Sequence, residues 1–207
     1  MASANIQELF EFEAPMIEGS FIKSLRHDVF SHQVSLDKPV GDPSMYRELI
    51  NLLYLADENA EFNLFINSPG GCLSACMAII EAIKETNAVV RAIITGECHS
   101  AASIIALNCH EVIVTDSAHM LVHSASYSTG GGVMTIKNHV DFSTKMINKI
   151  LTKTYTGFLT PDEMNSVMSG VELWFDSDEI KARLISKNKA QEKLKNAAKT
   201  PKLKKVG

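Results

Sequence analysis

Two hydrophobic periods alternate along the chain, one helical and one strand-like, and together they lay out its elements. Ser24–Asp37 mixes β-branched and polar residues around Val29, Phe30, Val34 and Leu36, which predicts one or two short strands. Pro39–Pro43 is a turn, with Asp42 or Ser44 placed to cap the next segment, where Met45, Leu49, Leu52, Leu53 and Leu55 recur at helical spacing. Asn63–Asn67 reads as a strand that runs into Ser68-Pro69-Gly70-Gly71, a sequence that continues neither strand nor helix. Leu73–Glu85 then has helical periodicity, Ala88–Thr95 is a strand, and Ala101–Asn108 is a short helix of small and apolar residues. Glu111–Thr115 and Ala118–His123 are further strands. Ile136–Thr156 is a long helix, too long to lie wholly on a small core. Thr160 caps a helix with Pro161 in its first turn, and Glu172–Phe175 and Asp178–Leu184 complete the ordered part.

Strands alternating with helices imply an α/β fold with a largely parallel sheet and right-handed crossovers. In such sheets reactive groups gather beyond the strands' C-terminal ends. Gly70, Ser100 and His123 each follow a strand, so the topology can bring them together.

At 207 residues and 45% hydrophobic, the chain can bury one substantial core. The expected organisation is an N-terminal arm over residues 1–20, one domain over 21–185, and a lysine-rich, flexible tail over 186–207. Asn5–Phe12 in the arm has a weak helical pattern. A net charge of −4 argues against general nucleic-acid binding. The acidic N-terminus lacks a secretory signal, and no apolar run is long enough for a bilayer, so no membrane partner is expected. Cys72, Cys76, Cys98 and Cys109 lie in apolar segments without a Cys-x-x-Cys pair, which predicts reduced thiols, no metal site and a cytoplasmic protein. The glycine-rich Tyr127–Gly132 carries no phosphate-binding pattern.

The candidate chemistry centres on Thr95–Ser103, Thr-Gly-Glu-Cys-His-Ser-Ala-Ala-Ser. Ser100 stands at a strand-to-helix junction, where unpaired backbone N–H groups favour developing negative charge. That position suits a nucleophile attacking a carbonyl, and it equally suits a plain helix cap. Ser103, one turn on, is expected to face the helix's own packing. His99 is expected to be a pocket-wall or surface residue, and His110 and His119 to be structural. His27, His32 and His139 carry no readable signal.

Ile66-Asn67-Ser68-Pro69-Gly70-Gly71, the turn Gly96–Ser100 and the histidine of Met120-Leu121-Val122-His123 together resemble the Clp protease proteolytic subunit family, over roughly Phe30 to Ile185. The resemblance implies a crotonase-like spiral of ββα units with a handle region over about 124–156. It implies Ser100 as nucleophile, His123 as general base and Glu172 as the acid, with Asp176 as the alternative. A glutamate can replace the family's aspartate, because the carboxylate need only orient and stabilise the imidazole. The oxyanion hole would come from the N–H of Gly70 (or Gly71) and that of Ala101. Ser124, Ala125 and Ser126 would pair an extended peptide by strand addition. The implied partners are further copies of the chain in heptameric rings, two of which can stack, together with an AAA+ unfoldase and unfolded polypeptide substrates. ATP would be used by the unfoldase, leaving no cofactor in this chain. The family's Gln and Pro after the histidine are Ser124 and Ala125 here, and the charged pair before the acid is Gly170 and Val171. These departures leave room for an inactive scaffold subunit of a mixed ring, or for a phage capsid-maturation peptidase. Acyl-CoA chemistry on the same fold is disfavoured, since it would give Ser100 and His123 no role.

Overall fold

In the central strands, buried and accessible side chains alternate and so fix which face of the sheet receives the helices. In β3 (Ala60–Ser68), Ala60, Phe62, Leu64, Ile66 and Ser68 are buried and the residues between them are not. In β4 (Val89–His99), Val90, Ala92 and Ile94 continue the same core face. This computed structural model describes residues 22–26 and 30–199. The expected N-terminal arm, His27 and the last part of the lysine-rich tail (200–207) lie outside the described residues.

The seven strands are ordered β1 (Ile22–Arg26), β2 (Phe30–Leu36), β3, β4, β6 (His119–Val122) and β7 (Leu173–Phe175), with β5 (Glu111–Val114) also paired to β4. β2, β3 and β4 run parallel, as do β5 and β6 beside β4, while β1 and β7 close the two ends antiparallel. The sheet is thus mostly parallel, in keeping with the predicted class. On its accessible face Arg91 bridges Glu61 and Glu111 across β3, β4 and β5, and this holds the Glu61 carboxyl below its ordinary pKa.

Three helices connect these strands and cover the core face: α1 (Arg47–Leu55), α2 (Leu73–Glu85) and α3 (Ala101–Ala106). Leu49 and Leu53 bury the stripe of α1. Met45 and Leu55, expected on the same stripe, are 56% and 83% exposed. Met45 falls in a preceding 3-10 turn (Pro43–Tyr46), whose tighter pitch takes it off the stripe, and Leu55 lies about 200° around the helix from Leu53. Asp42 caps that turn through the Ser44 N–H (2.9 Å).

β4 is longer than its sequence suggests. It passes through Gly96 and Glu97 because an irregularity absorbs them: Ile66 pairs with Ile94, yet Ser68 pairs with Cys98, so β4 carries two extra residues. Asn67 Oδ1 accepts the Glu97 N–H (2.9 Å), and a Cβ at Gly96 would lie 2.4 Å from that same oxygen. Before the irregularity β4 pairs with β5 over residues 91–94; beyond it, it pairs with β6 over 97–99. One strand therefore carries the chain from the core to the edge where Ser100 and His123 emerge.

The long helix α4 (Val133–Tyr155) buries only Ile147, Leu151, Thr154 and Tyr155, all in its C-terminal part, while Val133, Met134 and Phe142 stay exposed. α5 (Pro161–Met168) opens on a capping box between Thr160 and Glu163, and Arg183 pairs bidentately with that glutamate (2.9 and 2.7 Å). The ordered part does not stop at Leu184. α6 runs from Ser177 to Lys199, through most of the stretch set apart as a lysine-rich tail. Lys187 is buried and donates its ammonium to the Thr154 carbonyl, in the last turn of α4, where unpaired carbonyls and the helix dipole favour a cation. Gly157 permits the approach, since a Cβ there would lie 3.2 Å from Lys187 Cα and 2.9 Å from Ala190 Cβ. Burial brings the Lys187 amine down to about 8.

Candidate active site

Ser100 is held in a conformation that side chains avoid. Its φ of 53° is positive, uniquely so among the described non-glycine residues, and such a backbone costs about 1–3 kcal/mol. Hydrogen bonds on both sides fix it. The Ser100 N–H donates to Leu121 O (2.9 Å), and the Ser100 carbonyl accepts the N–H groups of Ser103 (3.0 Å) and Ile104 (3.2 Å). Although Ser100 sits at the N-cap of α3, its side chain makes no capping hydrogen bond. The plain-cap alternative therefore fails, and the hydroxyl is left to the cleft beside it.

The glycine turn explains its own composition. Gly70 has φ +85°, and a Cβ there would stand 2.5 Å from His99 O, 2.7 Å from Ser100 Cβ and 2.9 Å from Ala101 N. Any side chain at this position would push the turn off the Ser100–Ala101 backbone. Gly71 (φ +144°) is equally constrained from the other side, where a Cβ would meet Val40 O at 2.3 Å. Val40 pins the turn by donating to Gly70 O (2.8 Å) and accepting from the Cys72 N–H (2.7 Å). The Gly70 N–H leans on Ser68 Oγ (3.2 Å), which itself donates to Lys38 O (2.7 Å). Ala101 opens α3, so its N–H has no carbonyl one turn back to bond.

Gly71, Ser100, Ala101, His123 and Ala125 line one shallow cleft, walled by Leu73, Ile104, Ile147, Ile150 and Leu151. The apolar wall was not read from the sequence as part of a site. Its signal was the spacing of Ile147, Ile150 and Leu151 at i, i+3 and i+4, which puts all three on one face of α4.

His123 follows β6 directly. β7 pairs antiparallel with β6 through Met120–Phe175, Leu121–Trp174 and Val122–Leu173, and one further step in that register sets Glu172 opposite His123. Glu172 is exposed and does not line the cleft, and among the described residues no hydrogen bond joins His123 to Ser100 or Glu172. Asp176 has other work: its carboxylate accepts the N–H groups of Asp178 (3.0 Å) and Glu179 (2.9 Å), capping α6, while Glu179 accepts the Asp176 N–H (3.1 Å). Of the expected peptide-pairing residues only Ala125 lines the cleft; Ser124 and Ser126 do not, and residues 123–132 form no strand. Tyr127 and Thr129 instead lean on α4, through Val140 O (3.4 Å) and His139 Nδ1 (2.6 Å).

His99 is neither a pocket wall nor a surface residue. It is buried between His119 and Trp174, with ring centroids 5.1 Å from each, and its Nε2 has no partner among the described residues. Burial lowers its pKa, and the charges of His119 and His123 act in the same direction against the opposing pull of Glu97. The alternation of β4 explains the misplacement, since adjacent residues of a strand face opposite ways and Ser100 holds the cleft side. Ser103 is buried, as expected, and bonds to Ser100 O (2.7 Å) and to the Tyr155 hydroxyl (2.6 Å). His110 Nδ1 accepts the Val90 N–H (2.9 Å), a structural role. Cys76 donates to Ala101 O (3.4 Å), and burial pushes its thiol up to about 12, so it has little thiolate character. Among the described residues there is no cluster of three or more His, Cys, Asp or Glu side chains suited to a metal, and no helix is long and apolar enough to cross a membrane.

The family model for Clp protease matches residues 22–179. The chain is 32% identical over 103 residues to the ATP-dependent Clp protease proteolytic subunit of Streptococcus mutans, and 29% identical over 103 residues to that of Streptococcus pneumoniae. Each alignment takes in 48% of this chain and 53% of the relative, so the chain spans about half the length of these curated relatives. It is also 45% identical over 71 residues to the ATP-dependent Clp protease proteolytic subunit 4, chloroplastic, of Arabidopsis thaliana, covering 34% of this chain and 24% of the relative. With a family match over most of its length, a mostly parallel α/β sheet, and a serine and a histidine lining one cleft with a glycine turn, this chain belongs to the Clp protease family.

Proposed function

We propose that the chain is a serine endopeptidase subunit that hydrolyses peptide bonds of unfolded polypeptides through an acyl-enzyme on Ser100. The observation that carries this reading is the strained Ser100, its hydroxyl free of any capping bond, in one cleft with His123, Gly71 and Ala101. His123 removes the Ser100 Oγ proton as that oxygen attacks the scissile carbonyl, then gives the proton to the leaving amine. Water, activated by the same imidazole, releases the acyl group. The tetrahedral oxyanion is held by the Ala101 N–H and by a donor of the Gly70–Gly71 turn. Because the Gly70 N–H already leans on Ser68 Oγ, the Gly71 N–H is the readier of the two. Glu172, across the β6–β7 register, orients the imidazole.

In the wider setting of this proposal, copies of the chain form rings and an AAA+ unfoldase spends ATP to feed them extended substrates that pass along Ser124–Ser126; the words ATP-dependent and subunit in the relatives' names support that setting. A cytoplasmic location accords with the four free cysteines. Labelling with a fluorophosphonate, combined with native mass spectrometry, tests nucleophile and assembly together. Label that is lost in Ser100→Ala, on a ring-sized particle, is the expected result. Label that persists in that variant ends the assignment.

Glu172, exposed and without a hydrogen bond among the described residues, favours a second reading, a silent subunit of a mixed ring. Rings that take no label and cleave no casein, even with an unfoldase present, would establish it.

A further inference from the structure

The buried polar pair Ser103 and Tyr155 has no place in the chemistry above, yet it touches the nucleophile's own peptide group. α3 is otherwise Ala101, Ala102, Ile104, Ile105 and Ala106, all buried, so an alanine at 103 would serve packing alone. A serine in a helix often bonds back to a carbonyl three or four residues earlier, which by itself means little. Here two further facts matter. The accepting carbonyl belongs to Ser100, the residue in the left-handed region, and a second hydroxyl arrives from the far end of α4 to complete the chain.

The hydrogen-bond directions follow from the donors available. Ser103 has one hydroxyl proton, and its acceptors are Ser100 O at 2.7 Å and, more distantly, Leu121 O at 3.4 Å. Tyr155 therefore donates to Ser103 Oγ across 2.6 Å, and burial, which raises the phenol's pKa, keeps it protonated. The relay runs from Tyr155 O–H to Ser103 Oγ–H to the Ser100 carbonyl, and Leu121, its outer acceptor, lies two residues before His123. The end of α4 that carries Tyr155 is itself tied down, since Lys187 donates to the neighbouring Thr154 carbonyl.

We propose that Ser103 and Tyr155 are positioning residues: the relay holds the Ser100 carbonyl, and with it the left-handed backbone that aims Oγ at His123. This rests on the peptidase reading, with Ser100 as the nucleophile. The pair touches no reacting atom, so its loss should slow acylation without weakening substrate binding.

The test uses the full chain carrying Tyr155→Phe, Ser103→Ala, or both. The double variant removes both polar groups together and leaves neither hydroxyl buried without a partner. Three quantities are read: the second-order rate of fluorophosphonate labelling, kcat and KM on a short fluorogenic peptide without an unfoldase, and Tm. Expected are a fall of about 10-fold in labelling rate and kcat for Tyr155→Phe and about 100-fold for Ser103→Ala, with KM within about twofold. The double variant should match Ser103→Ala rather than the product of the two, because both act through one carbonyl. Folded variants that label at the wild-type rate, with Tm lowered or not, overturn the inference alone, as does a fall confined to KM. Wild-type protein that takes no label overturns the peptidase reading and the inference with it.

Discussion

The two sides of the cleft are built differently. On the side of the proposed nucleophile, the Gly70 turn, Ser100 and Ala101 meet at distances that leave no room for a methyl group, and Val40, Ser68 and Leu121 pin the backbone from three directions. On the side of the proposed acid, Glu172 is exposed just before a three-residue edge strand, and Trp174 within that strand is 57% exposed. The first half is determined by packing within one chain. The second has a register but no lock, and a carboxylate in open water is screened from the imidazole it should orient. Placing a hydroxyl and its donors is thus a matter of folding, whereas the strength of the acid depends on how dry its surroundings become.

The sharpest way to break this contrast is at its core. Ser100→Ala or His123→Ala should lower peptide turnover by about 10⁴–10⁶-fold, each about as much as the two together, measured on a fluorogenic peptide. Glu172→Gln should cost about 10²–10⁴-fold, the smaller figure if water still reaches the carboxylate during turnover. A change under threefold would remove Glu172 from the mechanism. Gly70→Ala should cost about 10²–10³-fold, as expected when an oxyanion donor moves, and a crystal structure should show the turn pushed away from Ala101. Asp176→Ala should leave kcat unchanged while lowering stability by about 1 kcal/mol in urea denaturation, since it removes a cap.

Outside the cleft, the buried Lys187 makes a prediction of its own. Its folded pKa of about 8 lies below the ordinary value of 10.5, so between those limits the unfolded chain binds the extra proton and stability rises with pH. Below about pH 8 both states are protonated, and the cost of burying the ammonium is present in full. Wild-type protein should gain on the order of 3 kcal/mol relative to Lys187→Met between pH 8 and 10.5. Parallel stability curves for the two proteins across that range would contradict the assignment. The smallest signal concerns the acid edge. Trp174 is the sole tryptophan, so a blue shift of its emission on assembly or peptide binding would report water leaving that edge.

Much of this architecture was legible where local chemistry and tertiary context agree. α2 begins and ends where its periodicity does, because the Gly70–Gly71 turn stops the strand before it. The Thr160 cap and Pro161 announced α5 in the same way. What was illegible depended on partners far along the chain. Gly96 and Glu97 look like a turn until Asn67, on the neighbouring strand, takes up the Glu97 N–H. The lysine-rich stretch reads as solvated because nothing local reveals that Lys187 ends another helix's row of carbonyls. The antiparallel return of β7 onto β6, which alone relates Glu172 to His123, leaves no periodic trace. For the site, Ser100, His123 and the glycines stand out through their positions after strands, while nothing in the sequence singles out Tyr155 within the long helix.

The two surplus residues of β4 are slack and not length. Four residues of β4 cover the distance that two of β3 cover between Ile66–Ile94 and Ser68–Cys98, so excising Thr95 and Gly96 would leave Cys98 beside Ser68 and keep every later side chain on its present face. Excising only one would turn the strand's tip over, offering the imidazole at 99 to the cleft and burying the hydroxyl at 100. What Ser100 depends on is thus the parity of that slack: an even excision keeps the hydroxyl on the cleft, and an odd one hands its place to the imidazole.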